Sequence, residues 1–372
     1  MKRLCAILVL ISLTVGVLVG CKKKYKPVES TEEEARIVMT LSLGDSKYEV
    51  RYELYRALFL TYRSEIDGGN EDAWSGEDKA KYIEKINTRI TDELCEIFSV
   101  FELCARIGYN LYSKEVEKQI EDMIRVSVEG GSYGGENYSG FGGDYDAYLD
   151  SLRAMYHNYS TSVLLLRYQI GREMLEDHYI GEALPYEVNG KLTDGALDYT
   201  AEDVQNFYYS DGAVRILQTY VPEEISYTPR DMAEGIRNDI IEAAKSGDEA
   251  VRIMMINRGT PTAVAELESG ILLGKYSLAR DYAALSAAAF ELEDGGVSDV
   301  IETVSALDGR RFYILYRAEK TEEFLTENYA SVVEVYLYDA IGAVLNSTAE
   351  ALGEFVEYTK EYASITHDKI RI

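Results

Sequence analysis

Seven apolar residues, Ile83, Ile86, Ile90, Leu94, Ile97, Phe101 and Cys104, recur at intervals of three or four. Only an α-helix, with 3.6 residues per turn, lines up such a series along one side. One helix cannot bury its own stripe, so this one demands a helical partner or a sheet. Partners of the right kind flank it. A short strand followed by a helix rich in Tyr, Leu and Phe is predicted from Lys47 to Tyr62. A helix opening at Ser113 carries Val116, Ile120, Met123 and Ile124. Ser75, three residues ahead of Asp78, predicts the cap of the long helix. Cys95 and Cys104 both fall on that helix. Nine residues of helix turn them to opposite faces and separate them by about 13 Å. A disulfide between them is therefore excluded, and they read as small core residues. From Gly130 to Asp144 seven glycines break the pattern, which predicts a loop between helices. Asp144 and Asp146 in it lack the Gly and the distant Glu of a calcium loop. Helix is predicted again from Tyr145 to about Asp177.

Beyond a linker with Pro185, Gly190 and Gly195, the hydrophobic period changes. Thr200-Ala-Glu-Asp203 caps a short helix ending near Tyr209. Ala213–Val221 is β-rich. Thr228-Pro229 opens a helix with Met232, Ile236, Ile240 and Ala244, which Gly247 ends. A second helix carries Val251, Met254 and Met255, and a third covers about Ala279 to Phe290. Val297–Val304 and Arg311–Arg317, joined around Asp308-Gly309, predict a hairpin. The order is β-α-α-α-β-β. From Thr321 the chain is helical again, with Val332, Val335, Tyr336, Ala340, Val344 and Leu345 as its apolar face. With nothing after it to pack on, this tail is expected to dock on the N-terminal helices.

The ends and the charge bear on location. Met1-Lys2-Arg3 precedes an apolar run from Leu4 to Gly20, the pattern of a secretory signal peptide. That run is short for a bilayer core, which takes about 20 apolar residues. Leu18-Val19-Gly20-Cys21 resembles the lipobox of bacterial lipoproteins. The resemblance implies cleavage before Cys21, acylation of its thiol and a membrane-tethered mature chain outside the cytoplasm. The polar stretch after Cys21 reads as a flexible tether, placed at 21–44. The net charge of −27 becomes −29 once Lys2 and Arg3 are removed. A surface so acidic repels nucleic acid. The absence of CxxC and His-rich clusters leaves zinc without ligands, and neither metal nor cofactor is expected.

Five stretches of the C-terminal half carry a resemblance. They are Val214-Arg-Ile-Leu217, Gly270-Ile-Leu-Leu-Gly274, Ala289-Phe290-Glu-Leu292, Gly296-Val-Ser298 and Asp308-Gly309. In that order they resemble the parvulin-type peptidyl-prolyl isomerase domain. The helical part before it, with Thr200–Tyr208 as lead-in, is similar to the secreted foldases PrsA and SurA. The resemblance implies an α+β chain: a helical chaperone-like domain at 45–200, a parvulin-like domain at 213–319, and a tail at 321–372 that completes the first. It implies unfolded exported polypeptides as partners. Parvulins use two inward-facing histidines. Here those positions fall on Arg215 and Arg311, and His157, His178 and His367 lie outside the domain. Arginine stays charged and cannot rebuild a neutral imidazole pair. The expectation is that the strands turn both arginines to solvent or to acids, and that isomerase activity is weak or absent. An active isomerase with other catalytic groups, and a ligand-binding surface lipoprotein on the same fold, are the alternatives. The cleft for client chain is placed on Leu217, Met254, Leu285, Phe290 and Tyr313, with Met255 beside them. Tyr55, Tyr62, Tyr109, Tyr133, Tyr138, Tyr145 and Tyr148 are further groove candidates.

Overall fold

The computed structural model describes residues 25–133, 136–181, 191–192, 194–258, 270–276, 283–305 and 309–370. The apolar leader and Cys21 lie outside them, as does Asp308. The described chain forms two compact units, residues up to Leu175 with those from Leu345 on, and Glu176–Val344.

In the first unit, α1 (Glu32–Ala35) leads into the antiparallel strands β1 (Ile37–Leu43) and β2 (Ser46–Arg51). Val38, Met39 and Leu41 of β1 are buried, so the stretch expected as tether is ordered sheet from Ile37. Near the chain's end β9 (Val356–Tyr358) pairs with the other side of β1, giving the order β2-β1-β9. Then come α2 (Tyr52–Asp67), the long α3 (Lys79–Arg106) and α4 (Lys114–Glu129). The sequence stripe is the buried face of α3: Ile86, Ile90, Leu94 and Cys104 are fully enclosed. Its cap is Asp78 rather than Ser75. Ser113 caps α4, its side chain accepting from the Val116 N–H. The glycine-rich stretch is not a plain loop but a hairpin, β3 (Gly131–Tyr133) with β4 (Glu136–Tyr138). Helix resumes in two pieces, α5 (Tyr145–Ala154) and α6 (Tyr159–Tyr179). They are separated at Tyr156, whose φ of 69° ends the first. Cys95 and Cys104 are buried free thiols; burial pushes their pKa up to about 11 and about 12.

The second unit begins with α7 (Ala201–Tyr209), held by a capping box between Thr200 and Asp203. Its sheet comprises β5 (Ala213–Pro222), β6 (Ile271–Gly274), β7 (Ile301–Ser305) and β8 (Gly309–Ala318). The order is β6-β5-β8-β7 and every pairing is antiparallel. β6 is a strand that the sequence order above omits. Three helices pack on the sheet: α8 (Pro229–Ala244), α9 (Asp248–Arg258) and α10 (Ala283–Glu291). Met232, expected on the apolar face of α8, is exposed. After α11 (Glu322–Glu327), the long α12 (Tyr329–Gly353) crosses the boundary at Val344, so the tail divides between the units. The buried face of α12 is Val332, Val333, Leu337, Ile341 and Leu345, while Val344 is 45% exposed. This helix is apolar on most sides, so its period alone misplaces the face. The short α13 (Lys360–Ala363) follows β9. No helix among the described residues is long and apolar enough to cross a membrane.

Candidate functional site: the two faces of the C-terminal sheet

Side chains alternate across a strand, and cross-strand partners share a face. β5 sits between β6 and β8, so its alternation sorts the whole site. Toward α8 and α9 point Leu217 and Val221, joined by Phe312, Ile314 and Tyr316 of β8. Ile236, Ile240, Val251 and Met255 close this core, with Met254 half-buried against it. Toward α10 point Val214, Ile216, Tyr313 and Leu315, closed by Leu285 and Ala289, with Tyr220 and Phe290 half-buried beside them.

The expected cleft is thereby split. Leu285, Phe290 and Tyr313 share the α10 face, but Leu217 and Met254 belong to the core on the opposite side. Neighbouring strand positions such as Ile216 and Leu217 cannot face one pocket.

The register also separates the two arginines. Arg215 pairs with Ala318, and Arg311 with Pro222, seven positions further along β5. That is about 23 Å of strand. Arg215 lies on the α8–α9 face with Leu217, and Arg311 on the α10 face with Tyr313. They cannot hold one amide between them.

Arg215 is committed to structure. Its guanidinium lies 4.6 Å over the Phe324 ring, and Nη1 donates to the Glu319 carbonyl at 2.8 Å. Asp248, the first residue of α9, receives it as an ion pair at 3.6 Å and accepts the Tyr316 hydroxyl at 2.7 Å. Burial, and then that bond, raise the Tyr316 pKa. Arg215 thus turns to an acid, as its charge requires. Arg311 turns instead to aromatics. Its guanidinium stacks 4.6 Å over Tyr220, whose ring lies 5.1 Å from that of Tyr313, and Nη1 donates to the Tyr313 hydroxyl at 3.4 Å.

The α10 face also carries Gln218, 7% exposed, opposite Leu315. Ser298 fixes that spot, its Oγ accepting the Leu315 N–H at 3.0 Å. Gln218, Tyr220, Arg311 and Tyr313 form a polar-aromatic strip under α10. Tyr313 and Gln218 are buried, so of this strip only the part-exposed Tyr220 ring and Arg311 guanidinium can meet a carbonyl oxygen or a ring from outside. Gln218 and Tyr220 escaped the sequence reading because only the register places them beside Tyr313. Among the described residues no histidine stands on this sheet: His157 and His178 flank or belong to α6, and His367 follows α13. Of the tyrosines considered for a groove, Tyr55, Tyr62 and Tyr148 are buried instead.

No protein-family model and no curated protein sequence matches the chain. Among solved structures it is similar to the foldase protein PrsA from Streptococcus pneumoniae, at 16% identity and a TM-score of 0.26. That match covers 77% of this chain and 93% of that one. It is also similar to the foldase protein PrsA from Lactococcus lactis, at 15% identity and a TM-score of 0.23, over 87% of this chain and 95% of that one.

Proposed function

We propose that the chain is an extracytoplasmic, lipid-anchored foldase that holds unfolded exported polypeptides and accelerates prolyl isomerisation weakly or not at all. The observation that carries the reading is the α10 face. Of its polar-aromatic strip only Tyr220 and the Arg311 guanidinium stacked over it are part-exposed, offering a ring and hydrogen-bond donors, while the other arginine candidate, Arg215, lies on the opposite side of the sheet. Rotating a prolyl amide crosses a barrier of about 18–20 kcal/mol and takes tens of seconds unaided. A site that binds the ground state and the twisted amide equally leaves that time unchanged.

Two assays on the full chain test this. Proline-limited refolding of an unfolded protein is expected to keep its uncatalysed rate, while aggregation of the same protein is suppressed at stoichiometric amounts of the chain. Acceleration on the order of tenfold or more would favour the isomerase, and no suppression would overturn the foldase reading. Lipid anchoring has its own test. Cys21→Ala is expected to move the protein from the membrane fraction to the soluble one, because it removes the acylated thiol. Retention of the variant in the membrane would refute the anchor.

A further inference from the structure

β2 is an outer strand of its sheet, paired only with β1 among the described residues. Every second residue of an outer strand directs its N–H and C=O away from the sheet. This edge opens on a cleft of about 530 Å³. β2 forms one wall, and Ser160, Val163, Leu164 and Arg167 of α6 form the other. The floor is Tyr48 stacked on Phe98, ring centroids 4.8 Å apart, with the Tyr48 hydroxyl given to Glu102 at 2.8 Å.

The charges in the cleft are unevenly satisfied. Glu53, 5% exposed, accepts from Ser30 Oγ at 2.5 Å, Asn158 Nδ2 at 2.7 Å and Ser160 Oγ at 2.7 Å. Arg51 adds an ion pair at 3.8 Å. This acid has its donors. Arg167 is also 5% exposed; it pairs with Glu117 and lies 4.4 Å over the Tyr112 ring. Yet its Nε is buried without a hydrogen-bond partner among the described residues. Lys47 and Arg51 stand exposed at the mouth, with Glu49 between them. The lining is three basic to two acidic residues in a chain of net charge −27. Of the polar side-chain atoms buried in this lining, the Arg167 Nε is the one left without a hydrogen-bond partner among the described residues.

We propose that the free edge of β2 takes an extended polypeptide segment as an added strand, with an acidic side chain of that segment reaching Arg167. This rests on the polypeptide-binding reading above and names the kind of segment bound. Main-chain bonds to the edge supply affinity without regard to sequence. Leu54, Val163 and Leu164 receive its apolar side chains, and Arg167 selects for acid at one position. The charged residues of β2 also keep two copies of the chain from pairing edge to edge.

The probe is a fluorescein-labelled ten-residue peptide of alternating valine with glutamate and threonine, followed by anisotropy on the full chain. It is expected to bind and to slow hydrogen exchange at Ser46–Arg51. The same peptide with alternate backbone nitrogens methylated keeps its side chains but loses strand pairing, and is expected to bind at least tenfold more weakly. Replacing its glutamates by lysine, or Arg167→Gln in the protein, is expected to cost roughly tenfold, the loss of one charged hydrogen bond. The peptide variants leave the protein intact, so they decide the matter even where R167Q folds poorly. Equal binding of the methylated peptide, or protection elsewhere than β2, would overturn the proposal. So would a chain that dimerises through this edge and excludes the peptide. Suppressed aggregation without peptide binding sinks this inference and leaves the foldase reading standing; loss of both sinks the two together.

Discussion

Gly342→Val is expected to destabilise the unit bearing the four-stranded sheet by about 3–4 kcal/mol, a fall in its melting temperature of roughly 10 °C. Helix propensity predicts the opposite sign, because glycine inside α12 is poorer than any ordinary residue by up to about 1 kcal/mol. Packing decides against propensity here. A Cβ at Gly342 would lie 1.7 Å from the Tyr276 carbonyl oxygen and 2.6 Å from its carbon. Those are main-chain atoms of the turn after β6, so no side-chain rotation relieves the clash. The same turn is gripped one helical turn earlier, where Asp339, 8% exposed, accepts the Tyr276 N–H at 2.5 Å. Pushing α12 off the turn breaks that bond to a buried carboxylate. Gly235 in α8 is the control: nothing lies within 4 Å of its Cβ position, so Gly235→Ala is expected to stabilise by about 0.5–1 kcal/mol. Chemical denaturation followed by calorimetry measures both. The chain has two units, so the transition of each is fitted separately. A Gly342→Val chain as stable as the parent would mean that α12 and the turn do not meet as described.

Local pattern and register are legible to different degrees, and these residues show why. The stripe on α3 is set by helical geometry alone, and Ile86, Ile90 and Leu94 are buried where their spacing puts them. The capping box at Thr200 is likewise a local bond, and it opens α7 as read. The site depends on something no local signal carries, the pairing of β5 with β8. One position of slip moves every side chain to the other face. Arg215 and Arg311 read as a pair by their places in the two motifs; their partners, Ala318 and Pro222, put them apart. Leu217 and Met254 leave the cleft for the same reason. The hairpin at Gly131–Tyr138 was hidden by composition, since glycine marks a break without saying that Tyr133 and Glu136 pair across it. The cleft beside β2 was invisible because its walls come from stretches more than a hundred positions apart, as the bond from Asn158 to Glu53 shows.

The N-terminal unit is expected to lose stability steeply as pH falls from 6.5 toward 4, and two histidines carry most of the loss. His157 is 5% exposed and its Nδ1 has no hydrogen-bond partner among the described residues; burial holds its pKa down at about 4. His367 is 4% exposed, with Nε2 3.0 Å from the Tyr55 hydroxyl. Burial, with the nearby Lys79 charge, holds it down at about 4 too. The unfolded chain takes up a proton at each near pH 6.5, while the folded one stays neutral until about 4. Between those values the unfolded state binds more protons, so stability falls with falling pH and is fully retained above 6.5. The cost by pH 4 is roughly 3 kcal/mol for His157 and about 2 kcal/mol for His367, where the neighbouring Asp368 carboxylate partly offsets the burial. Glu102, despite partial burial, is held below the usual carboxylate range by hydrogen bonds from Ser46, Tyr48 and Arg106, and pulls the same way at the acid end. His157→Phe removes a buried titrating group and an unpartnered nitrogen together. It is expected to flatten the slope of stability against pH between 6.5 and 4.5 by about half, with little change at pH 8. Equilibrium denaturation across that range measures the slope. A parent chain whose stability is level from pH 7 to 4.5 would show that both imidazoles reach solvent in the folded state. The sheet unit contains neither residue, so its transition is expected to move far less over the same range.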